Sequence, residues 1–224
     1  MDKFLIAVDA VVFAYDKDYL KILLIKRGIE PFLNEWALPG GFLRKGESLE
    51  DSVKRELKEE TNINDIFLKQ LHTFSLINRD PRERVITTAY YALVNPENYK
   101  IKADTDALEV KWFNFNELPK LAFDHNEIIE MAINKLRKDI EFKPVGFELL
   151  PEYFTLAKLQ KLYEIIFDKE IDKRNFRKKL LKTELIIETD KKDTGGVKRP
   201  ARLYYFDKKR YFKFKATGFK FKII

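Results

Sequence analysis

With 224 residues, 45% of them apolar and 14% aromatic, the chain has material for one large domain or two ordinary ones, which excludes wholesale disorder. It holds no cysteine, which excludes disulfides and thiolate metal centres and fits a reducing cytoplasm. The net charge of +7 is uneven: from Pro151 onward 21 Lys/Arg stand against 10 Asp/Glu, whereas residues 1–150 carry 22 against 26, so the basic part suits a polyanion.

Residues 4–13 and 20–26 are apolar, strand-like runs joined by a polar turn. The first is broken by Asp9 and lacks a basic leader and a small-residue cleavage site, so it reads as a buried strand rather than a signal peptide. No apolar run reaches the ~20 residues that cross a bilayer. Pro39-Gly40-Gly41 then marks a sharp turn ahead of a predicted helix over 48–61, where Ser48 caps the first turn and Leu49, Val53 and Leu57 make an apolar stripe. Strand-like runs follow at FLKQLHTFSLI, RVITTAYYALV and EVKWFNF. A helix over about 125–138 comes next, started by Asp124 with Glu127 as capping partner. This mixture makes an α/β domain over residues 1–142. Pro144, Gly146 and Pro151 mark 143–150 as a linker.

From Gly41 to Ile63 the sequence GFLRKGESLEDSVKRELKEETNI carries Gly41, Glu47, Arg55, Glu56, Leu57, Glu59, Glu60 and Ile63 at the spacing of the Nudix box, which it resembles. Only Asn62 departs, standing where the family has glycine. That position follows the helix end and calls for a left-handed backbone, which asparagine tolerates best after glycine. Glu56 and Glu60 lie four apart on one helix face, with Glu59 one turn from Glu56. Such a cluster repels itself unless hard cations sit between the carboxylates, and magnesium, with manganese as the other candidate, prefers these oxygen ligands. The resemblance implies a Nudix α/β/α sandwich with a mixed sheet. It makes Glu56, Glu59, Glu60 and a carbonyl at Gly40 the metal ligands, and Glu47 and Arg55, which points away from the metal, their catalytic support. It also implies hydrolysis of a nucleoside diphosphate derivative, as in ADP-ribose pyrophosphatases, which NRDPRERVITTAYYAL and LPKLAFDH resemble. Arg79, Arg82 and Arg84 are candidates to meet phosphates or to pin a dimer, and Asp80-Pro81 reads as a turn. His125 reads as structural. Glu83, Asp104 and Asp106 are unranked candidates for an extra general base.

The remaining residues, 151–224, read as helix, turn, helix, hairpin. Leu156, Leu159, Tyr163 and Ile166 form one apolar face. Asp172 caps a second helix with Phe176, Leu180 and Leu181 inward and Lys173, Arg174, Arg177 and Lys178 outward. The hairpin around Gly195-Gly196 resembles a wing, with Lys191, Lys192, Lys198 and Arg199 along phosphates. The wording LQKLYEIIF, DKRNFRKKLL and KRPARLYYF resembles the winged helix-turn-helix of Nudix-related transcriptional regulators. That resemblance implies a metabolite sensor coupled to double-stranded operator DNA, a homodimer and no membrane. Every charged position of the box is retained, which favours hydrolysis beside sensing. The alternative is a dedicated hydrolase whose basic part serves dimer contacts or non-specific binding.

Overall fold

The computed structural model describes residues 3–64, 66–194, 200–217 and 221–223. Contacts divide the chain into residues 1–16 with 20–135, and residues 17–19 with 136–224.

The first unit is organised by β1 (Leu5–Asp16), buried without a break from Ala7 to Tyr15. A strand covered on both faces reads as a continuous apolar run rather than an alternating one. The strands that follow are β2 (Tyr19–Arg27), β3 (Trp36–Ala37), β4 (Gly40–Phe42), β5 (Lys69–Phe74), β6 (Val85–Val94) and β7 (Ala107–Asn114). They form one mixed sheet in the order β3-β2-β1-β6-β5. β6 runs parallel to β1 from Leu5↔Val85 to Ala14↔Val94, while β4 pairs antiparallel with β1 and β7 with β2. The predicted strands all form, within a few residues of their expected ends.

Helix α1 (Leu49–Thr61) begins as expected, with the Ser48 side chain accepting from the Asp51 amide. It ends at Asn62 in the left-handed region, φ 62°, with the Asn62 amide bonded to the Lys58 carbonyl. Val53 and Leu57 are buried in a cluster with Val8, Val12, Leu23 and Tyr90. Each such side chain contributes about 1.5–3 kcal/mol, so this packing fixes the height of α1 over the sheet. Helix α2 (His125–Phe142) is longer than the expected 125–138.

The second unit takes the C-terminal part of α2, since the division falls between Lys135 and Leu136 rather than at the expected linker. Residues 143–150 are no free connector. Pro144–Leu149 is a 3-10 turn with Pro144, Gly146, Phe147 and Leu149 buried, and Phe147 stacks on Phe206 at 4.3 Å. Helix α3 (Leu156–Phe167) buries Leu156, Leu159, Tyr163 and Ile166, as its spacing predicts. Helix α4 (Lys173–Lys182) is capped by Asp172 and buries Phe176 and Leu180. Leu181, expected inward, is 45% exposed: one position beyond Leu180 lies about 100° around the helix. The hairpin of β8 (Ile186–Asp193) and β9 (Ala201–Phe206) completes a winged helix. A helix that the sequence reading did not foresee follows, α5 (Lys208–Ala216). Its alternation of Phe and Lys has a strand-like period, which hides it. Among the described residues no helix is long and apolar enough to cross a membrane.

Candidate nucleotide site and basic face

A cleft of about 280 Å³ opens where the β3–β4 turn meets α1. Glycine is required at both turn positions by close approach. A Cβ on Gly40 would collide with the Val8 carbonyl oxygen, and one on Gly41 with the Glu56 carboxylate. The turn therefore seats its backbone directly against the acidic face of α1. Glu56, Glu59 and Glu60 all line the cleft, as does Gly40. Glu60 is only 5% exposed and accepts from the Gly40 amide at 2.9 Å. Burial pushes its carboxyl up to about 8; the Gly40 hydrogen bond opposes this, and the nearby Glu56 charge adds to it. Glu56 is raised as well, chiefly by burial and partly by Glu59, against the pull of Arg55.

Arg55 organises this face. It donates to Glu47 at 2.6 and 3.0 Å, to Glu56 at 2.6 Å and to Glu59 at 3.2 Å. The expectation that Arg55 holds Glu47 is met, but its guanidinium does not point away from the acidic cluster. It bridges Glu47 to Glu56 and Glu59, since five donors in one plane serve several carboxylates at once. The bonds from Arg55 hold Glu47 at about 2, well below the ordinary carboxylate range. Arg44 adds a two-pronged contact to Glu59, at 3.1 and 3.2 Å.

The three candidate arginines have different places. Arg79 lines the cleft but is 8% exposed and grips Asp124 with two bonds, at 2.6 and 2.9 Å. The Asp124 carboxylate therefore serves Arg79 instead of capping α2; only its carbonyl accepts from the Glu127 amide. Arg82 also lines the cleft, paired with Asp80 and lying 4.9 Å from the Phe42 ring centre and 5.6 Å from that of Phe123. Asp80 accepts from the Arg82 amide, so Asp80-Pro81 does form the expected turn. Arg84 is elsewhere, donating to the Ser75 and Leu76 carbonyls. Of the candidate bases, Asp106 lines the cleft, whereas Asp104 and Glu83 do not.

A buried polar network beneath the cleft escaped the sequence reading. Asp9 accepts from Thr87 at 2.7 Å and lies 3.6 Å from Arg79 and 3.4 Å from His125 Nε2. His125 Nδ1 accepts from the Leu38 amide at 2.9 Å, which leaves Nε2 facing Asp9. Burial would raise the Asp9 carboxyl, but His125, Arg79 and Thr87 hold it below its ordinary value. The available signal was Asp9 itself, a charge inside an otherwise apolar strand. His125 is structural, as expected. Arg27, Arg44 and Phe123 also line the cleft and carried no motif to reveal them.

Among the described residues no three His, Asp or Glu side chains already stand as a closed metal cage. The donor set nevertheless fits a hard divalent cation. All the candidates are oxygens, Glu60 is buried and Glu56 half-buried, and the pKa of each is raised first by burial and then by a neighbouring carboxylate, a cost that a cation relieves.

On α4, Lys173, Arg174 and Lys178 are exposed as expected. Arg177 is half-buried, and its Nε is buried with no hydrogen-bond partner among the described residues. In the hairpin Lys192 is exposed and Lys191 lies over the Tyr153 ring at 3.8 Å. Lys198, Arg199 and the Gly195-Gly196 turn lie outside the described residues.

A mixed sheet carrying an interlocked glutamate helix at a Gly-Gly turn, followed by a basic winged helix, defines a Nudix domain joined to a helix-turn-helix module. Residues 3–132 match the NUDIX domain and residues 146–206 the NrtR DNA-binding winged helix domain. The chain belongs to the NUDIX family, in the branch that carries the NrtR winged helix. It is 35% identical over 206 residues to the ADPR responsive transcriptional repressor NtrR of Acinetobacter baylyi, spanning 90% of this chain and 82% of the relative. It resembles the crystal structure of Shewanella oneidensis NrtR complexed with a 27mer DNA, with TM-score 0.79 and 35% identity over 96% of this chain and 97% of the other. The ADP-ribose pyrophosphatase of Methanocaldococcus jannaschii is 44% identical over 125 residues, 56% of this chain and 70% of the relative.

Proposed function

We propose that this protein is an ADP-ribose-responsive transcriptional repressor: its Nudix domain takes ADP-ribose and its winged helix holds double-stranded operator DNA. The observation that carries the reading is that both modules occur in one chain, in the order and over nearly the full length of repressors of this kind. On the DNA side, Lys173, Arg174 and Lys178 present an exposed cationic face on α4, the second helix of the pair, without ion pairs among the described residues. Arg177, Lys198 and Arg199 are assigned to the same interface. The reading extends to a cytoplasmic homodimer, because paired half-sites ask for two heads. Gel-shift with DNA from upstream of its own gene, with and without ADP-ribose, tests it. Binding at low salt that ADP-ribose weakens is the expected result, and no binding at low salt removes the repressor reading.

The Nudix domain also retains the means to split its ligand. Nudix hydrolases use a divalent cation, and we assign magnesium or manganese to Glu56, Glu59, Glu60 and the Gly40 carbonyl. When bound, such a cation neutralises diphosphate charge and lowers the pKa of a coordinated water. The chain's own contribution is positional. Arg55 bridges Glu47, Glu56 and Glu59 through its hydrogen bonds, and the Gly40 amide orients Glu60. Arg82 offers a guanidinium held flat by Asp80, whereas Arg79 is committed to Asp124, so Arg82 is the better placed of the two to meet phosphate. Arg84 is assigned to the loop rather than to the ligand. A second reading, a dedicated hydrolase with a basic appendage, is favoured by the intact box and the likeness to the archaeal pyrophosphatase. The gel-shift separates the two.

A further inference from the structure

The C-terminal helix α5 is unaccounted for by either module: the winged-helix match ends at Phe206, and α5 begins two residues later. Five of its nine residues are Lys or Arg and none is acidic. Its inner side is fastened. Tyr211 packs against Phe206, Arg210 donates to the Glu184 carbonyl at 2.8 Å, and the Asp207 amide bonds the Leu185 carbonyl at 2.8 Å. The Glu184 and Leu185 carbonyls belong to the turn that closes α4, so the start of α5 is moored where α4 ends. The last turn of α4 carries Lys179 and Lys182. On the outer side of α5, Lys209, Phe212, Lys213 and Ala216 are exposed at helical spacing. Among the described residues Lys209 and Lys213 have no hydrogen bond or ion pair, in contrast to Lys208, which pairs with Glu148 at 2.9 Å.

We infer that α5 is a second DNA-contacting element, in which Lys209 and Lys213 extend the basic face of α4 along the phosphate backbone outside the base pairs that α4 reads. This deepens the DNA-binding reading and rests on it. Charge complementarity names the occupant: two lysines one helical turn apart, without a partner among the described residues, on a helix moored to the turn that closes α4, match a regularly spaced polyanion. A lipid surface fits less well, because among the described residues Phe212 is the only large apolar side chain on that face and one ring is a weak anchor.

The experiment compares the full-length protein with Lys209→Ala/Lys213→Ala, and with Lys209→Arg/Lys213→Arg as a charge-keeping control. Binding to operator duplex and to a scrambled duplex of equal length is followed across salt concentrations. Each lost phosphate contact lowers the slope of log affinity against log salt by about 0.9, so the alanine pair should lower it by about 1.8 on both duplexes. The ratio of operator to scrambled affinity should stay fixed, and the arginine pair should behave as wild type. An unchanged slope in the alanine pair overturns the inference while leaving DNA binding intact. So does unchanged DNA binding coupled with lost binding to phosphatidylglycerol vesicles. Wild-type protein that binds neither duplex would overturn the DNA-binding reading itself.

Discussion

Helices α1 and α4 start alike, each capped by a side-chain oxygen three residues ahead of the amide it takes, and each buries an apolar stripe. They differ in what their charges do. On α1 the charges are interlocked: Arg55 touches three carboxylates and Glu60 is buried against the Gly40 amide. On α4, Lys173, Arg174 and Lys178 stand in solvent without ion pairs among the described residues. Charges fixed in a cleft are prepared for chemistry at one point, whereas unpaired charges on an open face suit a long partner of opposite sign. The distinction lies in burial and partners, so it is invisible in the count of charged residues.

The largest effect that would break this comparison is at Glu56. Glu56→Gln should lower magnesium-dependent hydrolysis of ADP-ribose on the order of a hundredfold or more, since a ligand that stabilises transition-state charge is removed. Equal turnover would mean that α1 is not the catalytic centre. Next comes Arg55→Ala, which removes the bridge between Glu47, Glu56 and Glu59 and leaves Glu59 to Arg44 alone. We expect a lower midpoint of urea unfolding together with weakened hydrolysis. Little change in either would show that the clamp is a surface ornament.

On α4, Arg174→Ala with Lys178→Ala should weaken DNA binding several-fold and flatten its salt dependence, with ADP-ribose hydrolysis unchanged. Parallel loss of hydrolysis would contradict the separation of roles. The smallest effect is a pH dependence. Glu60 has a folded-state value of about 8 against an ordinary 4.5, so between these values the metal-free folded protein holds a proton that the unfolded chain has lost. Stability without metal should therefore fall as pH rises from about 4.5 through about 8, and apparent metal affinity should rise over the same window. Glu60→Gln should flatten the first trend and raise the metal-free melting temperature at pH 8 by about 2–4 °C. A wild-type melting curve that does not move with pH would refute the raised value.

Much of this was legible in the sequence because local rules carried it. The strands, the caps at Ser48 and Asp172 and the α3 stripe follow from period and capping chemistry alone, and the left-handed Asn62 from its place at the glycine position of the box. The three glutamates of the cleft were legible because one helix supplies them all. The buried network beneath them was not. Asp9, Thr87, Arg79 and His125 come from β1, β6, the 75–84 loop and α2, and only the parallel pairing of β1 with β6 brings Asp9 to Thr87. The same limit explains Asp124. Sequence placed it where a cap belongs, but a buried arginine 45 residues away forms two charged bonds with it, which outweigh a single capping bond. Helix α5 was hidden by its alternating pattern and shows itself only through its anchorage to the α4 turn.

Linkage between the two modules is the most direct consequence of a ligand-responsive repressor. ADP-ribose affinity should be measured by calorimetry on the full-length protein, free and saturated with operator duplex. If the ligand weakens DNA binding, the DNA-bound protein must hold ADP-ribose more weakly by the same factor, and we predict at least a fivefold difference, on the order of 1 kcal/mol. Identical affinities in the two states would contradict it.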